Sequence, residues 1–405
     1  MKVCGIVSEY NPFHNGHKFH IEKAKASLGV SHVVCVMSGN FVQRGEPACF
    51  DKWLRAKAAL LSGADMVIEL PVLYSSASAE FFASAAVKLI SDTGIASSIC
   101  FGSESSDMDS LKETATLLSN ESPEMKMLIK SGLDSGISFQ KAREKAINTI
   151  LGESSLLSAP NDILALEYIK AISKLSLPLK PYAIKREGSE YNSLELSKGI
   201  ASASAIRKKL DNLSDIKNFV PEESFLLMDE AVSMGLGPVY PNDFGEYLQY
   251  CLRSLSPSEL CRILDVTEGL ENRILEKSQD FLSFNFLADE VKSKRYARTK
   301  IMRALIHIVL GIKKEDLLRF NLAGFSPYIR VLGFRKKSET LIKEMSKKSL
   351  IPVITSFKQA KETLDENSKY LLSLEERATN IYSLSTKYPS KKTLGRDYTE
   401  PVIVI

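Results

Sequence analysis

The alternation of apolar and polar positions changes near residue 212, and that change organises the chain. Before it, short apolar runs rich in β-branched residues lie at 3–7, 32–37, 66–70 and 98–101, and a fifth lies at 179–185. Such runs predict buried strands. Between them, residues 16–28, 51–62, 77–91 and 108–118 repeat apolar side chains three and four apart, as amphipathic helices do. Residues 121–177 read as helical throughout. Pro160-Asn161-Asp162 reads as a helix start, followed by Ile163, Leu166, Ile169 and Ile172 on one face. Strand–helix alternation at this spacing predicts an α/β fold, with a doubly wound parallel sheet of about five strands over residues 1–212. Ligands of such sheets bind beyond the carboxyl ends of the strands. Here those ends are polar or glycine-rich: His14-Asn15-Gly16-His17, Ser38-Gly39-Asn40, Glu69-Leu70-Pro71, Phe101-Gly102-Ser103-Glu104 and Lys185-Arg186-Glu187-Gly188.

Beyond residue 212 the strand signal fades. Residues 220–320 are mainly helical by periodicity, 350–357 are a candidate strand, and 370–384 a candidate helix. Positive charge collects in this half, at Lys292, Lys294, Arg295, Arg298, Lys300 and Arg303, with Tyr296 and His307 interleaved. Further basic residues follow at Arg330, 335–337, 347–348 and 391–392. Such runs are usually solvated helix faces, but an aromatic among them also suits a surface that tracks phosphates. The chain therefore divides into residues 1–212, a nucleotide-binding fold, and 213–405, a mainly helical basic region. Neither an internal repeat nor a low-complexity linker marks the boundary.

Composition narrows the class little. A hydrophobic content of 44% over 405 residues suits a soluble globular protein with ample core. No apolar run is long enough to span a bilayer, and Met1-Lys2-Val3 leads straight into a strand, so no signal peptide is expected. The six cysteines form no CxxC pair. Cys4, Cys35, Cys49 and Cys100 read as buried apolar side chains, and a reducing cytoplasm is the simplest setting. A net charge of +4 is too small by itself to argue for nucleic acid. Oligomeric state has no signature in the sequence.

The chemistry concentrates where the first strand hands over to the first helix. A helix N-terminus presents unpaired N–H groups and the positive end of the dipole, which makes it an anion site. His14 and His17 flank Gly16 there, and imidazoles so placed can donate hydrogen bonds to phosphate oxygens. A metal reading would add His20, but one helix cannot wrap three ligands tetrahedrally around zinc. Farther on, Ser202-Ala203-Ser204-Ala205-Ile206-Arg207 opens another helix with two hydroxyls and an arginine, a second phosphate-suited wall. Trp53 falls in a helix pattern and reads as core.

The pair of His14-Asn15-Gly16-His17 and Ser202–Arg207 resembles the HxGH nucleotidyltransferase superfamily and its second, ISSTxIR-like motif. Alanine stands at Ala203 where that motif often has serine, but Ser204 keeps a hydroxyl. More closely, residues 9–17, the loop 37–47, Ser158-Ala159-Pro160-Asn161-Asp162, Lys294-Arg295-Tyr296 and 330–334 resemble the bacterial tRNA(Met) cytidine acetate ligase family along the whole chain. The resemblance implies that acetate and ATP give acetyl-adenylate and pyrophosphate, and that the acetyl group then passes to N4 of the wobble cytidine of elongator tRNA(Met). It implies ATP contacts along Val7, Ser8, Glu9, Tyr10, Asn11, Pro12, Phe13, His14, Asn15, Gly16, His17, Lys18, Phe19 and His20. Gly102, Asn161, Arg186 and Ser204 add further contacts. His14, His17 and Arg207 are the expected catalytic donors. Asn40 and Arg44 are candidates for the acetate or cytosine side, and Lys292, Lys294, Arg295 and Arg298 for tRNA. Magnesium would be held mainly by the ATP phosphates, and no protein metal site is expected. Two other readings stay open: a small-molecule adenylyltransferase, and a non-catalytic RNA-binding protein. Glu344-Met345-Ser346-Lys347-Lys348-Ser349 imitates the KMSKS loop of class I aminoacyl-tRNA synthetases, but reads better as a basic helix end.

Overall fold

A computed structural model describes the chain except residues 138, 153–155, 158, 187–200, 268 and 294–295. The side chains of residues 139 and 140 are likewise outside the description. The expected strands form: β1 (Val3–Ser8), β2 (His32–Ser38), β5 (Met66–Leu70), β6 (Ser98–Ser103) and β7 (Lys180–Lys185). Between β2 and β5 the loop folds into a small antiparallel hairpin, β3 (Phe41–Val42) and β4 (Glu46–Pro47). The parallel strands run in the order β5-β2-β1-β6-β7. The chain first steps outward from β1 to β2 and β5, then returns to the far side of β1 as β6. That reversal opens a crevice between the carboxyl ends of β1 and β6.

Alternation along the strands explains both covered faces. Cys4, Ile6, Val33, Cys35 and Met37 point to the layer of helices Asn15–Leu28 and Lys52–Leu61. Val3, Val34, Val36, Ile68 and Phe101 point the other way, toward helices Ala79–Asp92 and Pro160–Lys174. Cys4, Cys35, Cys49 and Cys100 are buried, and Trp53 is in the core.

Three strands come from beyond residue 212. β8 (Ile329–Phe334) pairs antiparallel with β5, while β9 (Val353–Ile354) and β10 (Ile403–Val404) pair with β8. Among the described residues the sheet thus has eight strands. The two parts of the chain share it. Sequence periodicity misses β8 because five of its six residues are buried on both faces, which leaves no alternation to read. The expected strand at 350–357 shrinks to two residues. Leu350 is exposed and a helix begins at Phe357. Residues 77–91 form a helix only from Ala79, after a separate turn at Val72–Ser75. Among the described residues, no helix is long and apolar enough to cross a membrane.

A buried ionic cluster joins the added strands to the sheet. Lys52 Nζ lies 2.7 Å from both Glu69 Oε1 and Asp397 Oδ1. Arg330 reaches Glu69 Oε2 at 2.8 Å and Asp397 Oδ1 at 2.7 Å. Glu375 completes the group and accepts the Val72 N–H. Burial, and then the charge of Glu69, push the Glu375 carboxyl well above the usual range. Two cations then face two carboxylates. Removing one partner leaves buried charge unpaired, so Arg330→Met should cost about 3–5 kcal/mol in chemical denaturation. A loss below about 1 kcal/mol, the level of a surface pair, contradicts this role.

Candidate active site

The site begins with the loop that leaves β1. Arg55 is fully buried and donates to the carbonyls of Phe50 (2.8 Å), Glu9 (2.6 Å), Ser38 (3.1 Å) and Gly39. One guanidinium thus ties the ends of β1 and β2 together. Asn11 Oδ1 accepts the Cys49 N–H at 2.8 Å, and the Asn11 carbonyl accepts from Arg207 Nη1 at 2.8 Å. Tyr10 takes a left-handed backbone conformation, φ 48°, and buries its ring against Phe13 and His17.

The helix Asn15–Leu28 starts with a cap built from the two histidines. His14 Nδ1 accepts the Gly16 N–H at 3.0 Å, and His17 Nδ1 accepts the His14 N–H at 3.3 Å. The rings lie 3.7 Å apart between centroids. Each Nδ1 is occupied as an acceptor, so each ring carries its proton on Nε2. Burial pushes His14 down to about 3, helped by Arg186 and Arg207. His17 is held well below its usual range by burial, then by His14 and Arg186. Burial and Arg186 bring His20 to about 4. The site therefore holds neutral imidazoles offering Nε2–H groups, while its positive charge sits on arginines.

These groups line a cavity of about 460 Å³ at the switch point of the sheet. Arg207 donates from Nη2 to Ser204 Oγ at 3.3 Å and lies 3.9 Å from Glu46. Arg186 covers Gly102 so closely that a Cβ there would stand 3.2 Å from its Cγ. The N-terminus of helix Pro160–Lys174 is capped from outside: Glu104 accepts from Asn161 Nδ2 at 2.5 Å and from the Asp162 N–H at 3.0 Å. Ala159 is the cap residue. At the other end stands the hairpin. Gln43 donates its N–H to Glu9 Oε1 at 2.9 Å. Gly45, at φ 75°, presses against the helix Arg298–Leu310, where a Cβ would come within 2.2 Å of the Arg303 nitrogen. Phe82, Phe101 and Tyr168 supply an apolar wall.

Most residues expected at an ATP site meet here. Val7, Ser8, Glu9, Tyr10, Asn11, His14, His17, His20, Gly102, Asn161, Arg186, Ser204 and Arg207 line the cavity, as does Arg44. Gly16 and Phe19 line an adjoining recess with His14, His17 and His20. Pro12, Phe13, Asn15 and Lys18 line neither space. Phe13 is core, and Asn15 Nδ2 donates to the Asn218 carbonyl. Asn40 is buried behind the site, where its Oδ1 caps the Lys52 N–H at 2.9 Å.

The basic run is less uniform than its sequence. Lys292 is exposed, and Lys294 and Arg295 lie outside the described residues. Arg298 pairs with Asp289 at 2.7 Å, and Arg303 is buried against Asp265 at 2.8 Å. Buried His307 meets Ser76 and Leu264. Met345 is buried in the helix Glu339–Lys348, whose last lysines pair with Glu344. Sequence reasoning missed Arg55, Thr299 and Arg303 as parts of the site. Nothing in their local pattern separates them from surface polar residues.

Residues 1–397 match the sequence model of the family described as HIGH Nucleotidyl Transferase. A tRNA(Met) cytidine acetate ligase of Caldanaerobacter subterraneus subsp. tengcongensis is 40% identical, covering 100% of both chains. The chain belongs to the HIGH nucleotidyltransferases, in the tRNA(Met) cytidine acetate ligase family. A ligase of the same name from Acetivibrio thermocellus is 38% identical, again over 100% of both. The crystal structure of Thermotoga maritima TmcAL bound with alpha-thio ATP superposes with a TM-score of 0.91 at 32% identity, covering 100% of each chain. The apo form of that protein gives 0.93.

The depressed histidines link stability to pH. The unfolded chain protonates them near 6.5, whereas folded His14 and His20 resist protonation down to about 3 and about 4. The unfolded state then binds more protons, so stability falls as the pH drops below about 6.5. His14→Asn keeps a capping side chain and should flatten the slope of melting temperature between about pH 6.5 and 5. An unchanged slope contradicts a buried neutral His14.

Proposed function

We propose that this chain is an ATP-dependent ligase that activates acetate as acetyl-adenylate, releases pyrophosphate, and acetylates N4 of the wobble cytidine of elongator tRNA(Met). The observation that carries this reading is the convergence of two neutral Nε2–H imidazoles with Arg186 and Arg207 on one cavity at the sheet's switch point. Its end-to-end similarity to ligases of that name supports the substrates.

Adenylation brings one anion, acetate, onto another, the α-phosphate. His14 and His17 donate to the α-phosphate oxygens, where charge builds up as the pentacoordinate state forms. Their Nδ1 bonds to the backbone fix the rings beforehand, so little reorganisation is needed. Arg207 and Ser204 hold the phosphates from the second wall, and Arg186 lies across the nucleotide at Gly102. The main chain of 7–11 follows the phosphates, and the adjoining recess at Phe19 and His20 surrounds the rest of the nucleotide. Arg44, on the hairpin, meets the acetate carboxylate, and Asn40 acts behind it by fixing the start of helix Lys52–Leu61. Among the described residues, no group of three His, Cys, Asp or Glu could hold a metal ion. Magnesium would be carried on the ATP phosphates and water.

Residues 213–405 take the tRNA, with Lys292, Lys294, Arg295 and Arg298 on its phosphates. Arg298 is shared with Asp289 at the surface, where such a pair contributes little and yields readily to a phosphate. The wobble base lies in a single-stranded loop, so splaying it into a pocket costs little. An enzyme whose substrates are acetate, ATP and tRNA would work in the cytoplasm.

The test incubates the protein with labelled acetate, ATP and bulk tRNA. Label is expected on elongator tRNA(Met) as N4-acetylcytidine. ATP consumed with no label on tRNA contradicts the tRNA reading. His14→Ala or Arg207→Ala should slow acetate-dependent ATP–pyrophosphate exchange by about 10²–10³, the loss typical of one preorganised donor. Neutralising Lys294, Arg295 and Arg298 together should weaken tRNA binding and flatten its salt dependence, while exchange survives. Equal loss of both activities contradicts the division of labour.

A further inference from the structure

The cavity that gathers arginines and phosphate donors also holds a carboxylate. Glu9 is the residue directly after β1, and it projects among the anion-binding groups. Acetate, pyrophosphate and the phosphates of ATP are anions and gain nothing from it; of ATP, only the adenine amine and the ribose hydroxyls could donate to it. A second carboxylate, Glu46, has Arg207 as a partner at 3.9 Å. Glu9 is held differently. Its carbonyl is fixed by Arg55 at 2.6 Å, and its Oε1 by the Gln43 N–H at 2.9 Å. The hydrogen bonds of the described residues leave Oε2 uncommitted. Such a rigid, half-buried acceptor fits a ligand that offers an N–H.

Its place in the cavity says which N–H. The recess beside Phe19, His20, Gly102 and Ile184 extends one end of the site. Glu9 sits at the hairpin end: the Gln43 N–H bonds it, and Gly45 of the same hairpin presses on Arg303, in a helix from the second half of the chain. Arg44 and Thr299 line the cavity with them. That is the end through which a nucleotide held by residues 213–405 would enter. A carboxylate accepting from the exocyclic amine is the standard polar readout of cytosine.

We infer that Glu9 binds the N4 amino group of the target cytosine and accepts its proton during acetyl transfer. This assignment rests on the acetyl-adenylate reading above. N4 attacks the acetyl carbonyl carbon and a C–N bond forms. The bond from that carbon to the phosphate oxygen breaks, and its electron pair leaves with AMP. The proton released from N4 passes to Glu9 Oε2 and on to solvent. Burial raises the Glu9 carboxyl above its ordinary value, against the opposing pull of the Gln43 N–H, Arg207 and Arg44. That shift makes it a better base while Tyr168, Glu46 and the two arginines remain its charged or titratable neighbours.

The experiment measures two rates in Glu9→Gln: acetate-dependent ATP–pyrophosphate exchange, and transfer of labelled acetate to unmodified elongator tRNA(Met) transcript. Gln keeps the Gln43 contact and the shape of the side chain, and a thermal melt within a few degrees of wild type checks folding. The ratio of transfer to exchange is expected to fall at least about 100-fold, the usual size of a general-base contribution. Glu9→Asp should recover part of it. A parallel fall of both rates would place Glu9 on the nucleotide and overturn the inference, as would transfer that survives intact. Wild-type protein that runs no exchange overturns the parent reading, and this one with it. Exchange without transfer to tRNA in the wild type overturns the tRNA part of the parent reading and the assignment of cytosine with it, and leaves adenylation standing.

Discussion

Lys52 and Arg330, facing Glu69 and Asp397 inside the protein, hold four distant stretches of chain to one point. Each charge is costly to bury alone, so each stretch fits only when the others are in place. β5, which carries Glu69, thereby gains an antiparallel neighbour it would otherwise lack, and its edge is covered. Lys52 opens the helix whose Arg55 ties the ends of β1 and β2. The ionic cluster is thus one helical turn away from the group that sets the height of the catalytic loop.

The arrangement separates two tasks that a charged histidine would merge. His14 and His17 give direction without charge, because both Nδ1 atoms are spent on the backbone. Arg186 and Arg207 give charge, and guanidinium keeps it at any working pH. On the proposed reading, a site built this way binds triphosphate through its arginines and saves the imidazole N–H groups for the oxygen atoms whose charge changes during reaction.

Local patterns in the sequence carried the parallel half of the sheet and its switch point. β1, β2, β5, β6 and β7 are apolar runs bounded by glycine or polar residues, and the cavity lies where their carboxyl ends predict. The histidine pair and Ser204–Arg207 were legible for the same reason: each opens a helix. Long-range geometry was not legible. β8 reads as an ordinary apolar run, and only its pairing with β5 reveals it as sheet. Arg303 looks like one more basic residue, yet Asp265 buries it and the Gly45 turn leans on its backbone. Arg55 shows the same limit most clearly, because a buried arginine with four carbonyl partners has no local signature.

Asp397 sets a timetable for the protein's own synthesis. The first seventy residues contain β1, β2 and β5, and could pair as soon as they leave the ribosome. Lys52 and Glu69 would then lack Arg330, and both cations would lack the carboxylate of residue 397. Contacts spanning 345 residues close last. The edge of β5 therefore stays bare until β8 has been translated, and the ionic cluster stays incomplete until residue 397 has; this interval is when the sheet is most exposed to aggregation.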